Sequence, residues 1–93
     1  MIVVVCYDIV SDRRREDVAV FLSGYGPRVQ LSVFECEVRS TDELRTLKAG
    51  LRERIDTLTD QIRIYPTTDA TISERHVIGA RTVEERSDFW IVR

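Results

Sequence analysis

The chain has 93 residues, 43% hydrophobic and 32% charged, with a formal net charge of −2. That length holds one domain and no second core, and that composition is neither a disordered nor a membrane-spanning one. The slight acidity excludes a simply basic nucleic-acid binder, so any phosphate contact must come from a local cluster of cations. A core this small also makes dimerisation a natural way to bury more apolar surface.

Residues 2–8 open with an almost unbroken β-branched run, Ile-Val-Val-Val-Cys-Tyr. Without polar alternation, such a run predicts a central strand buried on both faces. It is too short for a signal peptide or a membrane span and has no basic leader, which places the chain in the cytoplasm with reduced thiols. Cys6 lies inside the run as a small core residue. Cys6, Cys36 and the single histidine, His76, have no zinc-site spacing.

After the strand, Ser11 or Asp12 can cap a helix. Val18, Phe21, Leu22 and Tyr25 recur at helical spacing, and Gly24, Gly26 and Pro27 end the element. Residues 28–39 then form either one long strand or two short ones meeting near Leu31-Ser32, with Val29, Leu31 and Val33 alternating against polar neighbours. Ser40 and Glu43 form a capping box. Leu44, Leu47, Leu51, Ile55 and Leu58 line one face of the second helix behind it. Asp60 begins the turn out of that helix, residues 61–65 alternate as a strand, and Pro66 stops it.

The order β-α-β(β)-α-β predicts an α+β, ferredoxin-like βαββαβ domain over residues 1–80, with two helices on one face of an antiparallel sheet. A weak strand is expected at residues 75–78. Residues 81–93 form a tail whose Phe89-Trp90-Ile91-Val92 cluster is expected to dock on this subunit or on a partner.

Asp8 is the first candidate for chemistry. A carboxylate at the C-terminal end of a central strand is placed to meet a metal or substrate, although a turn-forming aspartate also fits that position. Magnesium accepts one or two carboxylates together with waters and phosphate oxygens, and a two-fold axis near Asp8 would supply the second carboxylate. Arg13, Arg14 and Arg15 stand in the first turn of the first helix, where cations oppose the macrodipole and so are not there for helix stability. They form either a phosphate-binding cluster at a helix N-terminus, which Arg28 can join, or a solvated face offset by Asp12, Glu16 and Asp17. Tyr7, Phe34, Tyr65 and Trp90 either stack on bases or fill core and interface. His76 reads as a strand surface residue. No glycine-rich phosphate loop and no nucleophilic triad is present.

Four segments taken together resemble the CRISPR-associated protein 2 family: Tyr7-Asp8-Ile9 with Asp12-Arg13-Arg14-Arg15; Gly24-Tyr25-Gly26-x-Arg28-Val29-Gln30; Ser32-Val33-Phe34-Glu35; and Ile62-Arg63-Ile64-Tyr65-Pro66. The likeness covers residues 1 to about 66 well and the Ile78-Gly79 region weakly. It implies a ferredoxin-like homodimer that joins the CRISPR integrase subunit, CRISPR-associated protein 1, during spacer capture. It further implies a magnesium-dependent endonuclease acting on single-stranded RNA or double-stranded DNA. In such a dimer Asp8 faces its two-fold mate and binds the shared magnesium, with Tyr7, Arg15, Arg28 and Phe34 associated with the site. Asp17 stands where the family often has a basic residue, and Leu31 replaces a common aromatic. Metal-assisted hydrolysis by paired Asp8 carboxylates, helped by Arg15 or Arg28, is the chemistry expected, with no evident general base. Three other roles are weighed against it. One is a non-catalytic dimeric scaffold for the integrase on duplex DNA. Another is a toxin-type endoribonuclease resembling the virulence-associated protein D family. The last is a small-molecule regulatory domain.

Overall fold

The computed structural model describes residues 1–80. Its elements run β1 (Ile2–Asp8), α1 (Asp12–Ser23), β2 (Arg28–Gln30), β3 (Val33–Glu37), α2 (Thr41–Arg54), β4 (Gln61–Pro66) and α3 (Asp69–Ser73). The four strands make one antiparallel sheet in the order β2-β3-β1-β4, with β1 between β3 and β4. Crossover of this kind, with α1 and α2 packed on one face, is the ferredoxin-like plan expected from the element order. The long stretch after α1 is two strands, with the ladder irregular between Arg28 and Gln30.

Each helix starts where its cap permits. Ser11 Oγ accepts from the Arg14 amide at 3.3 Å, and Ser40 Oγ accepts from the Glu43 amide at 3.1 Å. Val18, Ala19 and Leu22 of α1 and Leu47 and Leu51 of α2 are buried against Val3, Val5, Tyr7, Phe34 and Cys36 of the sheet. Two glycines permit close approach. A Cβ on Gly26 would lie 1.9 Å from the Glu35 carbonyl oxygen, and one on Gly50 would lie 2.3 Å from the Phe21 ring. The ring of Phe21 also carries the Arg54 guanidinium 4.1 Å from its centroid.

Several expectations are corrected. β1 is buried on one face only: Val3, Val5 and Tyr7 face the helices, whereas Val4, Cys6 and Asp8 alternate onto the opposite, open face. The β-branched run tolerates a half-exposed face, so its lack of polar residues does not report double burial. Cys6 is therefore half-buried on that open face, and Cys36 is the cysteine of the core, where burial pushes its thiol up to about 11. Leu58 is 93% exposed, because α2 ends at Arg54 and the apolar spacing outlasts the helix. Residues 75–78 form no strand, and His76 is exposed outside any regular element. The short helix α3, capped by Thr68, was not anticipated. Beyond it, Arg75 Nε lies 3.6 Å from Glu35 Oε1 and so reaches the open face of β3. The tail cluster Phe89-Trp90-Ile91-Val92 lies outside the described residues.

Candidate functional site

Asp8 ends β1, opposite Gln61 in the β1–β4 register. It is exposed, and no described residue donates a hydrogen bond to its carboxylate. Strand alternation sets it on the open face, whereas its neighbour Tyr7 turns toward the helices. The aspartate and the tyrosine are thus adjacent in sequence and divided by the sheet.

On the helix side, Tyr7, Arg28 and Phe34 come together, on the face opposite the Asp8 with which the resemblance associates them. Arg28 and Phe34 are cross-strand partners in β2 and β3, and the Arg28 guanidinium carbon lies 5.5 Å from the Phe34 ring centroid. Arg28 Nη2 also donates to Tyr7 Oη at 3.4 Å, and Tyr7 Oη donates to the Leu31 carbonyl at 3.2 Å. The two rings lie 6.3 Å apart with a 28° interplanar angle. Tyr7 is 6% and Phe34 1% exposed, so in this chain neither offers an open ring face; they support Arg28 from beneath. Beside this cluster runs a groove of about 640 Å³ between α1 and the β2–β3 turn, lined by Arg15, Arg28 and Phe34 and also by the carboxylates of Asp12 and Glu16.

The arginine run is divided rather than pooled. Arg13 is exposed. Arg14 turns to Asp60, with Nε 2.8 Å from Oδ2 and Nη2 3.2 Å from Oδ1. Arg15 pairs with Asp12 and donates through Nη1 to the Ile9 carbonyl at 3.1 Å. Asp60 is the residue the sequence underrated. Its side chain is fully buried, and the Arg14 guanidinium together with the amides of Asp56 and Val10 holds its carboxyl well below the usual carboxylate range. An aspartate after a helical pattern carries no signal that separates such a centre from an ordinary turn residue.

Among the described residues no group of three or more His, Cys, Asp or Glu gathers to hold a cation. The hard, exposed oxygens of Asp8 do fit a water-rich magnesium site completed by phosphate oxygens or by a second copy.

The model for the family of CRISPR associated protein Cas2 matches residues 1–75. The chain is 41% identical over 76 residues to a Synechocystis protein named CRISPR-associated endoribonuclease Cas2 3, covering 82% of each chain. Streptococcus pyogenes Cas2 superposes with a TM-score of 0.76 at 36% identity, covering 85% of this chain and all of that one. A chain of a partial Cas6-RT-Cas1–Cas2 complex superposes with a TM-score of 0.71 at 30% identity, covering 88% of this chain and 94% of the other. With its strand order, its exposed strand-end aspartate and this likeness along most of its length, the chain belongs to the CRISPR associated protein Cas2 family.

Proposed function

We propose that this chain works as a homodimeric endonuclease of CRISPR adaptation, cutting phosphodiester bonds with magnesium at Asp8 and joining a Cas1 integrase subunit. The observation that carries the reading is the Asp8 carboxylate itself, exposed at a strand end and left without a donor by every described residue. A carboxylate in a turn usually accepts backbone N–H groups. This one is kept open toward the side where a second copy or a substrate can approach.

Support for the nuclease comes from relatives named for that activity, and support for the Cas1 partnership comes from the similar chain in a Cas1–Cas2 complex. Half-buried Ile2, Val4, Cys6 and Val33 on the open face of the sheet give the dimer an apolar surface to bury. Asp8 of each subunit would hold the ion, which supplies an activated water and charge neutralisation at the phosphate. Arg13 and the arginines lining the groove would hold nucleic acid by its phosphates, and the Arg28 guanidinium is kept in place by Tyr7 and Phe34.

Incubation of the dimer with single-stranded RNA and with duplex DNA, with and without magnesium, tests the reading. Magnesium-dependent cleavage should appear, and Asp8→Ala should abolish it while leaving the dimer intact. Unchanged cleavage by a clean Asp8→Ala preparation sinks the assignment.

One observation favours a second reading, a binding scaffold without cleavage. Asp8 and the Tyr7–Arg28–Phe34 cluster occupy opposite faces of the sheet, so phosphate binding in the groove does not by itself deliver a scissile bond to the aspartate. Strongly salt-dependent duplex binding without any cleavage would mark that role.

A further inference from the structure

The peptide unit joining Ile9 to Val10 lies one residue beyond Asp8, and charged side chains take both of its polar atoms. Its carbonyl accepts from Arg15 Nη1 at 3.1 Å. Its N–H donates to Asp60 Oδ1 at 3.0 Å. Asp60 is fixed in turn by the two-pronged contact from Arg14, by the Asp56 amide at 2.9 Å on Oδ2, and by the Thr59 hydroxyl at 3.2 Å on Oδ1. Two consecutive helical residues, Arg14 and Arg15, therefore hold one peptide plane from its two sides, the first of them through Asp60.

This arrangement matters because of what Asp8 lacks. No described residue grips its carboxylate, so among the described residues what places that carboxylate is its backbone. The backbone is held on one side by the strand pair Asp8–Gln61 and on the other by the clamped Ile9–Val10 peptide. Asp60 precedes Gln61, so the clamp and the strand pair are neighbours in the chain. A buried ion pair is an expensive way to gain stability, since its desolvation cost offsets much of the attraction. Its geometric precision is what an apolar substitute could not reproduce.

We propose that Asp60, locked by Arg14, is a positioning residue for Asp8, orienting the metal-binding carboxylate by fixing the Ile9–Val10 peptide one residue beyond it. The inference rests on the role of Asp8 proposed above. Arg14 then serves the site without touching phosphate, and Asp60 does so without touching metal.

The test uses the full chain and compares wild type with Asp60→Asn, Arg14→Gln, Arg14→Lys and Asp8→Asn, all well below each variant's melting temperature. Two quantities are read. The first is kcat and KM per folded dimer on a single-stranded RNA with magnesium. The second is the affinity of the substrate-free dimer for Mn²⁺, followed by electron paramagnetic resonance, which needs no turnover. Asp60→Asn and Arg14→Gln should lower both kcat and Mn²⁺ affinity by about tenfold or more, the range seen when the residues that orient a ligand are lost. KM should stay within about twofold, because the phosphate-binding arginines are untouched. Arg14→Lys should recover part of the loss. If Asp60→Asn fails to fold, the two Arg14 variants, which keep the carboxylate, carry the comparison alone. Lower melting temperatures with wild-type kcat and Mn²⁺ affinity would overturn the proposal and leave Asp60 as a structural residue. Should Asp8→Asn lose Mn²⁺ while Asp60→Asn and Arg14→Gln keep it, the positioning role falls and the Asp8 assignment stands. Should Asp8→Asn bind and cleave like wild type, both fall.

Discussion

Arg14 and Asp60, 46 positions apart, meet as a fork on a carboxylate, with Arg14 Nε 2.8 Å from Asp60 Oδ2. The contact ties the N-terminal turn of α1 to the loop that leads into β4. The same carboxylate holds the Val10 amide, so one aspartate joins the start of α1 to the loops that flank the paired ends of β1 and β4. Its charged form is strongly favoured in the folded protein by Arg14 and by the amides it accepts from.

Acid should therefore destabilise the protein through Asp60. Its folded-state value lies below its unfolded value, so its contribution is complete above the unfolded carboxylate value of about 3.9 and is lost as the pH falls below it. Urea midpoints between pH 7 and pH 2 should drop steeply below about pH 4 in the wild type. Asp60→Asn should start lower at pH 7 and lose less on acidification. Parallel curves for the two proteins would show that other carboxylates dominate the acid limb.

Gly26 and Gly24 make a matched pair for testing the turn after α1. A methyl on Gly26 would meet the β3 backbone at Glu35, which cannot swing aside as a flexible side chain could. Gly26→Ala should cost about 3 kcal/mol or more, the upper range of overpacking. Gly24 has φ −74°, and a Cβ there would sit 3.5 Å from the Phe21 carbonyl oxygen, an ordinary contact. Gly24→Ala should be neutral or stabilise by up to about 1 kcal/mol, through lower entropy of the unfolded chain. Denaturant midpoints of the two variants decide the matter.

The end of α2 gives a similar contrast. Leu47 is fully buried and Leu58 is 93% exposed, although both fit one helical spacing in the sequence. Leu47→Ala should cost about 2–5 kcal/mol, and Leu58→Ala should stay within about 0.5 kcal/mol of the wild type. Equal losses at both positions in the assembled dimer would reveal that Leu58 is covered by the second subunit.

These contrasts show what the sequence could and could not convey. The starts of α1 and α2 were legible because Ser11 and Ser40 are strong caps and the apolar residues behind them recur at helical spacing. The division of residues 28–39 was legible as an option, but nothing at Leu31-Ser32 marks a turn by composition. One-sided burial of β1 was not legible, since Val4 and Cys6 are as apolar as Val3 and Val5. Asp8 stood out because a carboxylate directly after such a run is conspicuous. Asp60 did not, because its importance lies in partners that are distant in sequence, Arg14 and Val10. The arginine run read either as one phosphate-binding cluster or as a solvated face, yet adjacent helical residues point about 100° apart, so only folding shows which of them serve which task.

That separation gives a prediction for nucleic-acid binding. Arg13 is exposed on the first turn of α1, where backbone N–H groups and the helix dipole also favour phosphate. Arg14, its neighbour, is committed to Asp60. Arg13→Ala should leave the melting temperature close to that of the wild type and weaken binding to duplex DNA. The slope of log affinity against log salt should shrink by about 0.9 for every phosphate contact removed. Arg14→Ala should do the reverse, lowering the melting temperature while leaving the salt slope of the folded dimer nearly unchanged. Titrations at several salt concentrations, paired with thermal melts of each variant, separate the two. If Arg14→Ala flattened the salt slope as much as Arg13→Ala, the guanidinium held by Asp60 would have to reach phosphate as well, and the run would act as a single phosphate-binding cluster, one of the two readings its sequence allows.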